Sequence, residues 1–213
     1  MLKDIRNALI QKVENPYFYV KPDNQPFAEV DPVGEIAFAE ALNAVGGQFV
    51  YCIDESEMLK NLMALMQEYN WHEIWCLNPP VAELLGLAEV KVAGGTKVGM
   101  MDDMDVSLTT CEALIARTGS VLVSTVASDA RRMYSYPEIH MVMAYASQVV
   151  PDIADAFKLM LARYGENIPS MITMITGPSR TADIEKTLVM GAHGPKQLIV
   201  FMIDDINHPL PND

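Results

Sequence analysis

The chain has 213 residues, half of them hydrophobic and a fifth charged, with a formal net charge of −13. That composition describes one globular domain with room for a substantial core, and it excludes a disordered or low-complexity chain. The acidic excess, with a pI near 4.6, weighs against nucleic acid and anionic membrane surfaces, whose binding needs clustered Lys and Arg, although one arginine in a pocket suffices for a small anionic metabolite.

Lys3, Asp4 and Arg6 interrupt the N-terminus, so it does not read as a signal peptide. No run of the chain approaches a membrane span, and the expected location is the cytoplasm. Leu2, Ile5, Leu9 and Val13 fall at near-helical spacing. The following stretch carries Pro16, Pro22, Pro26 and Pro32, which remove backbone donors and favour an extended arm. We therefore place an N-terminal helix and proline-rich arm over 1–34 and one α/β domain over 35–213. Tyr17, Phe18, Tyr19 and Phe27 of the arm would be exposed together unless they pack over the domain or a second subunit of a homo-oligomer.

A helix over 35–45 leads into the short strand QFVYCI. Asp54 with Glu57 three residues on resembles a capping box, and Met58, Leu62, Leu65, Met66 and Tyr69 mark one face of the next helix. EIWCL is a strand, and Pro79-Pro80 starts a helix. AEVKVAGGTKVGMMDDMD reads as a strand and an irregular loop. VSLTTC and GSVLVSTV are strands flanking the segment 112–118, and EIHMVMA is another. Pro151 opens a helix with Asp152 and Asp155 in its first turn, an apolar face of Ile153, Ala156, Phe157, Met160, Leu161 and Tyr164, and Gly165 at its end. SMITMIT, a helix over 183–190 and QLIVFMI complete a strand, helix, strand unit. This alternation predicts a mostly parallel central sheet with helices on both faces. In such sheets ligands sit beyond the carboxyl ends of strands, where the stretch after SMITMIT begins.

That stretch is GPSRTADIEKTLVMGAHGP, residues 177–195. Gly177 and Pro178 shape a turn, and Ser179 or Thr181 caps the expected helix, whose free N–H groups attract anions. Arg180 adds a planar fork suited to a carboxylate or phosphate; a capped helix with a solvated arginine is the competing reading. His193 sits between Gly191 and Pro195, where glycine lets backbone approach a ligand; a structural or exposed histidine is the competing reading. His140 alternates with Ile139 and Met141 and so points to the opposite sheet face. The carboxylates and methionines of GMMDDMD specify no particular metal and read as a surface loop. Cys52, Cys76 and Cys111 are widely spaced in apolar patterns and read as buried thiols, not as ligands of zinc or an iron–sulfur cluster. No cofactor is evident in the chain, which lacks GxGxxG, P-loop, GxSxG and HExxH motifs.

Residues 177–195, with CEALIARTGSVLVS and RRMYSYPEIHMV upstream, closely resemble the signature of the LUD (lactate utilisation domain) family across roughly residues 95–203. The resemblance implies a NagB/RpiA/CoA-transferase-like α/β fold. It also implies a part in oxidising L-lactate to pyruvate, with iron–sulfur proteins of a lactate utilisation system as partners and the only holders of clusters. The matching positions are Thr118, Gly119, Arg132, Pro137 and His140, then 177–184 with Asp183, and His193, Gly194 and Pro195. On that reading His140 and His193 are the candidate catalytic residues, and Thr118, Gly119, Arg132, Gly177, Ser179, Arg180, Thr181, Asp183 and Gly194 bind the small 2-hydroxy or 2-oxo acid. Arg117 stands where many relatives carry an acidic residue. A stand-alone enzyme of the isomerase or CoA-transferase type and a non-catalytic adaptor are the competing functions.

Overall fold

The computed structural model describes residues 3, 6, 34–94, 104–126, 131–184, 187–190 and 194–208. The arm, apart from helical Lys3 and Arg6 and its last residue Gly34, lies outside the described residues, as do residues 95–103 of the predicted loop and His193.

Six strands form one sheet, all parallel: β1 (Gln48–Cys52), β2 (Ile74–Trp75), β3 (Val92–Ala93), β4 (Val106–Thr110), β7 (Ile139–Tyr145) and β12 (Gln197–Ile203), in the order β1-β12-β7-β4-β2-β3. The inner strands are largely apolar because both faces are covered, with Ser107, Thr109 and His140 as buried polar exceptions, and β7 and β12 are buried along nearly their whole length. Alternate residues therefore enter two different cores. One face sends Ile139, Met141, Ile199 and Phe201 against Met58 and Leu62 of α2 (Glu55–Tyr69) and Val81 and Leu85 of α3 (Pro79–Leu87). The other sends Val142, Ala144, Leu198 and Val200 against Phe38 and Leu42 of α1 (Gly34–Ala44) and Leu114, Val121 and Val123.

Those last three belong to a second, four-stranded mixed sheet of β5 (Ala113–Ile115), β6 (Ser120–Ser124), β8 (Val149–Val150) and β9 (Ile172–Ile175), in the order β8-β5-β6-β9. Its outer face, through Ala113, Ile115 and Leu122, packs on Ala156 and Met160 of α4 (Ile153–Tyr164). The expected class holds, an α/β domain with a parallel central sheet and helices on both faces. On the second face, α1 shares its cover with the small sheet. The segment 112–118, read as a connection, supplies β5, whose three residues are too few to show alternation.

Two expectations are corrected. Residues 183–190 do not form a helix: β10 (Arg180–Ile184) and β11 (Thr187–Met190) make an antiparallel hairpin with a register shift between Thr181 and Ile184. The stretch is rich in β-branched residues, Thr181, Ile184, Thr187 and Val189, which favour strand over helix. Phe157 and Leu161, placed on the apolar face of α4, are half exposed, because the helix meets the small sheet along the narrower line of Ala156 and Met160.

Two helix starts match the sequence. Asp54 Oδ1 accepts from Glu57 N at 2.7 Å while Glu57 reaches back to Ile53 N at 2.7 Å. Pro79-Pro80 opens α3 behind the Asn78 cap, whereas Asp152, expected in the first turn of a helix opened by Pro151, is instead the cap of α4, which begins at Ile153, and accepts from Ile153 N. Among the described residues no helix is long and apolar enough to cross a membrane.

Candidate functional site

Register puts Trp75, Ser107, His140 and Leu198 side by side on β2, β4, β7 and β12. Partners in parallel strands point the same way, so the imidazole faces the second sheet, opposite Ile139 and Met141. His140 is fully buried. Its Nε2 lies 2.8 Å from Thr109 Oγ1, while Nδ1 has no hydrogen-bond partner among the described residues. The ring of Tyr134 stands 5.8 Å away, centroid to centroid. Ser107 donates to Met133 O at 2.8 Å, and so ties the 3-10 turn Arg131–Tyr134 over this row. Burial drives the imidazole pKa down to about 3, because the charged form would lose its hydration. His140 is neutral at physiological pH and too weak a base to take a substrate proton there, but its Nδ1 is one hydrogen-bonding position held ready. An unmatched buried position of this kind costs about 1–3 kcal/mol.

The corner at 177–180 lies elsewhere than expected. It follows the carboxyl end of β9, but β9 belongs to the small sheet, and the corner rests against the amino ends of β1 and β12 of the large one. Ser179 N donates to Pro195 O at 2.8 Å, just before β12. Arg180 Nη2 donates to Val45 O at 2.5 Å, just before β1. Since β10 follows in place of a helix, there is no helix N-terminus here to hold an anion. Arg180 is exposed, fixed at one nitrogen by the α1 end, with its remaining donors unengaged among the described residues.

Two threonine-glycine turns meet at this corner. Ser120 Oγ lies 2.7 Å from both Thr118 Oγ1 and Thr176 Oγ1. Gly119 has φ +59, and a Cβ there would stand 2.2 Å from Leu42 N; Gly177 has φ +72, and a Cβ there would stand 2.4 Å from Val45 O. Both turns therefore press against the backbone at the C-terminal end of α1, closer than any side chain permits. A Cβ added at Gly194 would stand 3.2 Å from Ser179 Cβ.

Lys196 N donates to Glu138 O at 2.7 Å, and Ile139 N to Asp105 O at 2.9 Å. Backbone bonds thus run from the corner to the start of β7 and on toward β4. Thr118, Gly119, Gly177, Ser179, Arg180 and Gly194 form one belt at the amino ends of the large sheet, with His140 in the second position of β7 beneath it. Thr181 and Asp183 lie in β10. Arg132 is half-buried in the 3-10 turn, its guanidinium carbon 5.2 Å from the Tyr136 ring centroid. Arg117 is accounted for structurally: its Nε is 2.6 Å from Asp152 Oδ2, so it joins the small sheet to the α4 cap, and its hydrogen bond holds the Asp152 carboxyl below the usual range.

Sequence reasoning overlooked a buried carboxylate. Glu112 accepts from Ser124 Oγ at 2.5 Å, from Tyr164 OH at 2.8 Å and from Arg163, and Tyr134 OH donates to Ser124 O at 2.6 Å. No sequence signal pairs Glu112 with a helix fifty residues on. The Thr109 partner of His140 was legible, since VSLTTC alternates Ser107 and Thr109 onto one face. The three cysteines are buried, with Cys52 and Cys76 on one side of the large sheet and Cys111 on the other. Burial pushes all three thiols up, Cys76 to about 11. Among the described residues no three His, Cys, Asp or Glu side chains converge on a metal position.

The sequence pattern of the LUD domain matches residues 37–203. Lactate utilization protein C 1 of Bacillus mycoides (strain KBAB4) is 32% identical over 103 residues, 47% of this chain and 44% of that protein. Lactate utilization protein C of Bacillus licheniformis is 29% identical over 115 residues, 53% of this chain and 48% of that protein. The corresponding protein of Halalkalibacterium halodurans is 27% identical over 153 residues, 66% of each. The first two matches span about half the length of those relatives. In structure, the chain resembles a DUF162 family protein from Deinococcus radiodurans, with a TM-score of 0.61, 18% identity and coverage of 80% of this chain and 96% of that one, a likeness of fold.

Proposed function

Because the chain belongs to the LUD domain family, we propose that it serves as a subunit or accessory protein in oxidising L-lactate to pyruvate, binding the 2-hydroxy or 2-oxo acid at the amino-end belt. The observation that carries this reading is Arg180, oriented by its bond to Val45 O, with the rest of its fork unengaged among the described residues beside the two threonine-glycine turns. A planar guanidinium held at one nitrogen suits a carboxylate at the others. Thr118 and Ser179 hydroxyls lie in the same belt and fit the substrate oxygens.

His140 acts in this proposal as a neutral hydrogen-bonding group through Nδ1, not as a base. The hydroxyl proton goes to His193, which lies outside the described residues. Oxidation of lactate to pyruvate also breaks the Cα–H bond, releasing a second proton to solvent and two electrons, which the iron–sulfur proteins of the system would take in single-electron steps. The names of the relatives support the pathway; the acidic surface supports a small metabolite over nucleic acid.

The test is calorimetric titration of the full chain with L-lactate, pyruvate and, as a control, acetate. Saturable binding of the first two, much tighter than acetate, is expected. Binding of sugar phosphates or CoA esters with no response to either acid would transfer the assignment to an isomerase or transferase activity. Capture of iron–sulfur proteins without any small ligand would reduce the chain to an adaptor.

A further inference from the structure

A second feature of the amino-end side lies three strands from the Arg180 corner and is independent of it. Two adjoining cavities, of about 440 and 310 Å³, open where β2 and β3 begin, and Trp71 and Lys91 line both. Their volumes fall in the range of small-molecule sites. The chain has two tryptophans, and both contribute: Trp75 lines the smaller cavity with Trp71, and Trp71 stacks on Tyr69 with centroids 5.0 Å apart and planes 13° from parallel. Neither indole has a hydrogen-bond partner among the described residues. Three carboxylates complete the lining, Glu73 and Asp105 in the smaller cavity and Glu89 in the larger. They face a single ammonium, Lys91, which is already paired with Glu73 at 2.6 Å.

We propose that this double cleft binds a small organic cation of the quaternary-ammonium class. Indole faces attract such cations through the ring quadrupole. Asp105 and Glu89 supply the opposite charge that an already paired lysine does not cancel. The same lining disfavours carboxylates and phosphates, so this is not an extension of the acid-binding belt.

Because both tryptophans border the cleft, intrinsic fluorescence reads it directly. The full chain is titrated at pH 8 with choline and with its uncharged isostere 3,3-dimethylbutanol. Choline is expected to give a saturable emission change and the isostere to bind at least about tenfold more weakly. Asp105→Asn, which keeps the shape of the side chain, should weaken choline about fivefold with an unchanged melting temperature. Trp71→Leu, followed by calorimetry, should weaken it about tenfold. Equal affinity for the isostere, the absence of a saturable response, or unchanged affinity in both variants would overturn the proposal.

Discussion

The two ends of the six-stranded sheet have opposite polar economies. At the carboxyl end, Asp204 accepts from Tyr51 OH at 2.5 Å and from Ile206 N, Asn207 N and Asn207 Nδ2. Tyr145 OH donates to Glu55 at 2.7 Å, and Ser147 satisfies both oxygens of Asp205. These groups are spent on one another: the Asp204 carboxyl lies well below its usual range, and the Tyr51 phenol is pushed up to about 12 by its bond to that carboxylate. At the amino end, His140 Nδ1 and most of the Arg180 fork are unengaged among the described residues, and an aromatic cleft is open. Ligands gather at carboxyl ends in open parallel sheets because loops there leave donors free. Where those loops satisfy each other, the open groups, and with them the two proposed sites, lie at the other end.

The strongest way to break this contrast is to unseat the amino-end belt. Gly119→Ala places a Cβ 2.2 Å from the Leu42 nitrogen at φ +59, and is expected to cost about 4 kcal/mol or more by urea denaturation, or to prevent folding. Arg180→Ala should weaken binding of the carboxylate ligand by about 3 kcal/mol in calorimetry while the melting temperature moves little. Arg180→Lys keeps the charge without the fork, so little recovery is expected if planar geometry governs; full affinity in both variants would remove the anion from the belt.

His140 supplies the next effect through pH. Its folded pKa is lowered to about 3, so between that value and about 6.5 the unfolded chain binds the extra proton. The stability associated with the neutral ring is therefore complete above about pH 6.5 and is lost as pH falls toward 3. Denaturation at pH 7 and pH 5 should show the parent losing about 2 kcal/mol more than His140→Leu; parallel losses would mean that the ring is hydrated in solution. The smallest effect belongs to the spent end. Tyr51→Phe should cost about 1 kcal/mol and leave both ligand affinities unchanged, and a loss of affinity would place function at the carboxyl end after all.

Much of the large sheet was legible because its signals are local. QLIVFMI and IHMVMA are largely apolar runs buried on both faces, Asp54 caps the helix it precedes, and the alternation around His140 gave its face. The rest depends on pairings between distant segments. Nothing in SMITMIT says that it joins β6 in a separate sheet, so its carboxyl end was mistaken for the mouth of the large one. The 180–190 hairpin was hidden by Ser179, Thr181 and Asp183, which serve equally as helix-start residues, while its β-branched positions carried the contrary signal. The belt itself was found as a set of residues, yet its purpose at Gly119 and Gly177, close passage over the α1 backbone, is visible only once α1 is in place.

The position of β12 bears on how the molecule comes into being. It pairs with β7 along seven residues and with β1 along five, so it alone joins the first strand to the rest of the large sheet. A chain emerging from the ribosome must hold β1, with α2 behind it, unpaired until residues 197–203 arrive. Until then the flank of β7 that awaits β12 is an open, apolar strand edge, inviting to any other chain. Synthesis should accordingly be the stage at which this protein depends most on chaperones, and a pause before residue 197 should favour aggregation more than one after 203.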